Sequence, residues 1–322
     1  MHRTISEKEN VMRVMTRSEL PEWIPIGPDA IRLVVPGPMM ERPNFGESGE
    51  DWFGCSWVWD PSCFGFAPDL HKPYLLDDVC NWRDVVVFPD LDAIDWDAAA
   101  AAELADYDPD AQALRLFIEA GPLERSHHLL GFENAFAAMA EEPEEYKALV
   151  NAIGDYKIDL LNHLLPAYKP DDVFFHDDLG TARGPMISME MYRDILKPVH
   201  KRIGDCITSH GAIYNHHSCG YSQPFLEDLY ECGARGLNTI QSMNDRHAIA
   251  KQFAGRAYFE VMVDAVNRGT EEDIVNEIHD IIDTFGPTGN VIIGTVASDA
   301  SRMAYGDFAH EEAVKYGWEF YH

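Results

Sequence analysis

Positive charge is scarce in this chain: 25 Lys and Arg stand against 55 Asp and Glu in 322 residues, a formal net charge of −30. Such a surface repels a phosphate backbone, so nucleic acid is not an expected partner, and the acidity reads as a well-solvated exterior. Cysteine is also sparse. Cys55, Cys63, Cys80, Cys206, Cys219 and Cys232 form no repeating spacing, which argues against a disulfide framework and fits a reducing compartment. No apolar run approaches the ~18 residues that a membrane span requires, and residues 1–10 are charged where a secretory leader would be apolar. A cytoplasmic protein without membrane contact is therefore expected. The chain lacks a repeat of ~20–50 residues, a phosphate-cradling Gly-x-x-x-x-Gly-Lys-Ser/Thr loop, a dinucleotide Gly-x-Gly-x-x-Gly turn and a Gly-x-Ser-x-Gly elbow. These absences remove solenoids, nucleotide dependence and serine-nucleophile chemistry from consideration.

What is present is a recurring unit, a short apolar run followed by a helical pattern. Residues 31–35, 85–88, 114–118, 173–175, 212–215, 236–240, 258–263 and 291–293 are candidate buried strands, rich in Val, Ile and Phe. After Pro143, a residue tolerated at a helix start, Tyr146, Leu149, Val150, Ile153, Ile158, Leu161 and Leu164 make one apolar stripe. Thr270 with Asp273 resembles a capping arrangement for a second helix, whose buried face is Ile274, Ile278, Ile281 and Phe285 and whose stop is Gly286. About eight strand–helix units without a dinucleotide fingerprint predict a single (β/α)8 TIM-barrel domain over residues 1–322. Within it, residues 1–75 read as an N-terminal extension and an irregular lid loop. The lid segment, 42–73, gathers Trp52, Cys55, Trp57 and Trp59, which either line a pocket or form a satellite core under the loop.

Barrels collect functional groups at the carboxyl ends of their strands. His176, Asp177 and Asp178 close one run, His216 to Cys219 another, Gln241, Asn244 and Asp245 follow a third, and Asp264 a fourth. Side chains alternate along a strand, so His217 and Cys219 point the same way and His216 the opposite way. An imidazole and a thiolate on one face suit a shared metal, although such a pair is equally a packed core feature. One of Asp177 and Asp178 is expected to face inward as a general acid, base or charge stabiliser, or else to act as a cap. Asp264, with Glu260 four residues earlier on the same face, offers further ligand or catalytic oxygens.

The chain resembles the uroporphyrinogen decarboxylase superfamily, which holds porphyrinogen decarboxylases and zinc-dependent methyltransferases that work with corrinoid proteins. The likeness runs through Asp51-Trp52-Phe53-Gly54, Gly131-Phe132-Glu133-Asn134, Asp177-Asp178-Leu179-Gly180 with Ile187-Ser188, His217-Ser218-Cys219-Gly220, Asn244-Asp245 and Asp264 with Gly269-Thr270-Glu271-Glu272. It implies a barrel with its site at the carboxyl face, and His217 and Cys219 match two zinc ligands of the methyltransferase branch. The coenzyme M methyltransferases of that branch have a second cysteine near the last strand, and residues 291–303 contain none. Either a carboxylate, Glu260 or Asp264, replaces that thiolate in a ligand set with His217 and Cys219, or the metal arrangement differs, or no metal is held. Asp178 and Asp264 are the expected catalytic carboxylates, and Asp177, His216, Asn244 and Trp57 the substrate-side candidates.

The implied function is transfer of a methyl group from a small methoxylated, perhaps aromatic, substrate to the cobalamin of a partner corrinoid protein, with zinc as Lewis acid. A homodimer is an expectation from the resemblance alone. The rivals are a metal-free decarboxylase and a non-catalytic binding subunit. Residues 19–46 offer only Arg32 and Arg42 where the decarboxylase branch carries an arginine-rich segment, and the net charge of −30 opposes a polyanionic porphyrinogen.

Overall fold

The computed structural model describes residues 3–62 and 65–322, so Cys63 lies outside the described residues. Strands are β1 (Ile31–Val34), β2 (Gly49–Glu50), β3 (Ser56–Asp60), β4 (Gly65–Pro68), β5 (Ala113–Ile118), β6 (Asp172–His176), β7 (Ile213–His217), β8 (Gly236–Asn238), β9 (Tyr258–Met262) and β10 (Val291–Gly294). The seven strands β1-β5-β6-β7-β8-β9-β10 form one parallel sheet in that order, with helices following them, which is the TIM-barrel class. The helices that position the site are α1 (Glu7–Thr16), α2 (Pro122–Leu130), α3 (Pro143–Tyr168), α4 (Lys197–Ser209) and α5 (Glu271–Phe285).

Seven of the expected strands form, and residues 85–88 do not. Trp82–Val85 is a helical turn and the chain beyond it is irregular. Val87 is 74% exposed, so this run never gains the two-sided burial that makes an apolar strand favourable. The sheet instead curls round to a seam between β10 and β1. There Ile26 makes a parallel bridge to Ile293, Ile293 N–H donates to Pro25 O at 3.0 Å, and the turn Gly27–Ala30 separates that bridge from β1. The expected irregular lid contains the antiparallel sheet β2-β3-β4.

Alternation sorts the strand residues into two sets. Val173, Phe175, Leu237, Phe259 and Val261 face the helices and are fully buried. The inward set is layered. At the amino end Ile31, Ala113, Tyr258 and Ile292 pack against Val11, Val14 and Met15 of α1, which closes the bottom of the barrel. α1 begins at Ser6, whose side chain accepts the Glu9 N–H, and ends at Arg17 in the left-handed conformation.

α3 starts at Pro143 with two glutamates in its first turn and buries Tyr146, Leu149, Val150, Ile153, Leu161 and Leu164 of its predicted stripe, while Ile158 is only partly buried. α5 carries the full reciprocal capping box of Thr270 and Asp273. It ends at Phe285 with Gly286 as its C-cap, where the sequence placed the stop. Gly286 itself stays right-handed and opens the short turn Gly286–Thr288, whose left-handed cap is Gly289.

Candidate active site

Strand register brings the polar residues together. In the parallel pairing His176 of β6 lies beside His217 of β7, His217 beside Asn238 of β8, and Asn238 beside Glu260 of β9. The rings of His176 and His217 stack with centroids 4.3 Å apart and 14° between planes. His217 Nε2 lies 3.3 Å from Cys219 Sγ and 3.7 Å from Asp178 Oδ1. Asp178 in turn accepts the Cys219 N–H at 2.6 Å, which ties the loop after β6 to the loop after β7.

Two glycines permit that junction. A Cβ on Gly180 would sit 2.7 Å from the Tyr221 backbone, and one on Gly220, whose φ is +75°, would sit 2.7 Å from the backbone of Gly180 and Thr181. Asn244 holds the same loop from the other side. It accepts the N–H groups of Ser222 and Gln223 at 3.1 and 2.9 Å and donates to Gly220 O at 3.0 Å.

Above the imidazoles, α2 leans across the mouth. Its Glu124 Oε2 is 2.5 Å from His176 Nδ1, and Arg42 Nη2 lies 3.9 Å from Glu124. Burial lifts the Glu124 carboxyl to about 8, against the pull of Arg42. Burial drops both imidazoles to about 4, aided at His217 by the neighbouring His176. Burial, then Asp178, pushes the Cys219 thiol well up. At neutral pH the two rings are therefore neutral, which is the form that ligates a cation.

The donor chemistry fits a zinc ion. His176, Asp178 and His217 present ligand atoms all within 4.8 Å of one another, and Cys219 supplies a sulfur beside His217. Neutral imidazole, carboxylate and thiolate are the borderline-soft set that Zn²⁺ takes.

The other expected site residues divide. Glu260 faces inward but lies with Arg115 rather than with the imidazole–thiol pair: Arg115 Nη1 donates to it at 2.7 Å, Asn215 at 2.6 Å and Asn238 at 2.7 Å. Its oxygens are already engaged, so the expectation of Glu260 as the third ligand is corrected. Asp264 is buried and accepts the Ser242 N–H at 2.6 Å, with Arg246 and Arg268 each 3.8 Å away, so it braces the loop after β8.

Asp177 turns away from Asp178. It accepts the N–H groups of Leu123 and Glu124 at the start of α2 and contacts His200 Nε2 at 2.8 Å. His216 faces the helix layer, with Nδ1 2.8 Å from the Tyr214 hydroxyl and its ring against His200 of α4. Strand alternation turns it from the mouth. Trp57 is buried in β3, donates to Asp51 at 3.0 Å, and has the Arg42 guanidinium 5.4 Å from its ring.

Reading the sequence missed His176 as a ligand candidate, and also Glu124, Arg42 and Asn238. His176 had the signal of a strand end. Glu124 had none, because only the lean of α2 brings it over β6.

Beside the imidazoles the barrel is open and apolar. A cavity of about 300 Å³ at the seam is lined by Ile31, Leu33, Arg115, Phe117 and Phe174. A second, of about 500 Å³, shares Leu33 and Phe117 and extends under the lid to Met39, Arg42, Phe45 and Phe66. Phe117 meets His176 edge-on at 5.8 Å, and the Phe174 ring centroid is 4.9 Å from that of His217.

Known proteins resemble the chain in three ways. A methylated-thiol–coenzyme M methyltransferase of Methanosarcina mazei is 26% identical over 187 residues, 58% of this chain and 47% of that protein, so the chain spans about half the length of the curated relative it matches. A solved structure described as a methyltransferase from Methanosarcina mazei shares the fold with a TM-score of 0.70 at 12% identity, covering 97% of this chain and 99% of that one. The family model for uroporphyrinogen decarboxylase (URO-D) matches residues 66–295, more than half of the chain. By that match, over the strands and loops that carry His176, Asp178, His217 and Cys219, this chain belongs to the uroporphyrinogen decarboxylase family.

Proposed function

We propose that this protein is a methyltransferase that moves a methyl group from a small methoxylated, aromatic substrate to the cobalamin of a partner corrinoid protein. The observation that carries the reading is the 3.3 Å approach of His217 Nε2 to Cys219 Sγ at the barrel mouth, with His176 and Asp178 adjoining. His217 and Cys219 would hold zinc, and Asp178 or His176 would take the place in the ligand set first expected of Glu260. Zinc bound there supplies Lewis acidity, polarising an ether oxygen or lowering the pKa of a thiol. Glu124 fixes the ring of His176. Phe117 and Phe174, which lie against the two imidazoles, would receive an apolar ring, with aromatic faces meeting edge-on or offset.

The match to a protein named for a methylated thiol supports a second donor class on the same site. A methyl thioether would use the same sulfur-tolerant ligand set, and the apolar cavity accepts either donor.

Two measurements test the reading. Purified protein should carry zinc in near-stoichiometric amount, and His217→Ala and Cys219→Ser should each lose most of it. Cob(I)alamin should convert spectrally to methylcobalamin when protein and a methoxylated aromatic compound, or a methyl thioether, are added. Zinc content untouched by His217→Ala removes the site. Carbon dioxide released from a carboxylated substrate by zinc-free protein decides for a decarboxylase instead.

A further inference from the structure

Asn238 lies between the candidate zinc ligand His217 and the carboxylate of Glu260, and its amide has two chemically different ends. Its Nδ2 donates to Glu260 Oε2 at 2.7 Å, and its Oδ1 lies 2.6 Å from His217 Nδ1. The same row of partners appears in the backbone register, where His217, Asn238 and Glu260 sit side by side on consecutive strands.

Glu260 decides the amide's direction. It is salt-bridged to Arg115, which also holds Asp172 at 2.8 Å, and it accepts from Asn215 as well. A carboxylate in that setting only accepts, so it selects the NH₂ end of Asn238. The amide oxygen is then left facing His217, and an oxygen that can only accept demands a hydrogen on Nδ1. In a neutral imidazole this leaves the Nε2 lone pair free, and Nε2 is the atom aimed at Cys219 Sγ and Asp178.

We propose that Asn238 is a positioning residue that locks His217 in its Nδ1–H tautomer, and that Glu260, anchored by Arg115, keeps Asn238 in the orientation that does so. Glu260 thus acts two side chains away from the cation rather than on it. This rests on the site proposed above but concerns only the chain's own hydrogens. It also accounts for the burial of a charged Arg115–Asp172–Glu260 cluster under an open mouth, since such a cluster gives fixed direction where a hydrophobic layer would give none.

The test is ¹H–¹⁵N long-range correlation of the histidine side chains in full-length, metal-free protein, with His217 assigned by its disappearance in His217→Gln. The expected result is a protonated Nδ1 and a pyridine-type Nε2. Asn238→Leu and Glu260→Gln should shift His217 to a tautomer mixture. Asn238→Asp should restore the wild-type pattern, because the new carboxyl facing Glu260 must hold a proton, donates it to that carboxylate and keeps the acceptor oxygen toward Nδ1.

Zinc affinity, read by competition with a chromophoric chelator, should fall about 10- to 100-fold in Asn238→Leu and only a few-fold in Asn238→Asp. A hydrogen on Nε2 in the wild type overturns the proposal, as does a His217 spectrum unchanged in Asn238→Leu. If Asn238→Leu fails to fold, the wild-type and Glu260→Gln spectra decide. If the wild type binds no zinc, the metal reading fails while the nitrogen shifts still judge the tautomer.

Discussion

Gly220 shows how one residue fixes the chemistry of its neighbour. Its φ of +75° lies in the left-handed region, and the added Cβ of an alanine would press on the backbone of Gly180 and Thr181 at 2.7 Å. Backbone cannot swing aside as a side chain does, so the loop must move and carry Cys219 with it. Gly220→Ala should cost about 1–3 kcal/mol in urea unfolding and lower the zinc content. An alanine variant with wild-type stability and full zinc would show that the two loops are not in tight apposition. At this scale the sequence singled out His217 and Cys219 by alternation, but β7 ends at His217, so it is the loop tied down by Asp178 that brings Cys219 Sγ to 3.3 Å from the ring. The fates of Asp177 and Asp178 were not legible, since adjacency says only that they diverge and not which one meets the mouth.

Among the elements, α1 has an unusual task. It precedes the barrel in sequence yet packs its Val11, Val14 and Met15 against inward residues from β1, β5, β9 and β10. Four strands that are remote in sequence thereby share one plug. Met15 is 1% exposed, and Met15→Ala should cost about 2–5 kcal/mol, read as a lower urea midpoint with an unchanged slope. A loss below ~0.5 kcal/mol, the range of ordinary surface changes, would mean that α1 does not seal the barrel. The periodicity of α3 and the capping box of α5 were legible because both are local. Residues 85–88 misled because an apolar run reports composition, and only the packing reveals that Val87 meets solvent.

At the scale of the whole molecule, a second buried ionic cluster ties the lid to the barrel's helices. Glu41 accepts from Lys157 Nζ of α3 at 2.6 Å, from the Tyr156 hydroxyl at 2.7 Å and from Arg125 Nη2 of α2 at 2.6 Å, while Arg125 also holds Asp51 at 2.6 Å. Burial alone would raise the Glu41 carboxyl, but Lys157 and Arg125 together outweigh it and hold the group below the ordinary glutamate range. The partner answers differently: burial outweighs Glu41 at Lys157, whose pKa is lowered. The net direction for acid behaviour follows Glu41, which two cations hold.

A depressed carboxyl contributes stability that is complete above its unfolded pKa, about 4.3, and is lost as pH falls through the lower folded value. The urea midpoint should therefore decline steeply below about pH 4.3, and Glu41→Gln should both flatten that decline and cost about 3–5 kcal/mol at neutral pH. A variant with the wild-type pH profile would remove Glu41 from the acid response.

The sequence by itself determined the strand–helix alternation, seven of the barrel's strands, the helix stripes and the capping box of Thr270 and Asp273. All of these follow from periods of two and 3.6 residues acting within a single segment. The tertiary structure alone decided that His176 stacks on His217, that Glu124 reaches His176 from α2, and that Glu260 pairs with Arg115. Those outcomes depend on which strands become neighbours and in what register. Long-range packing sets both, and no period within one strand encodes either.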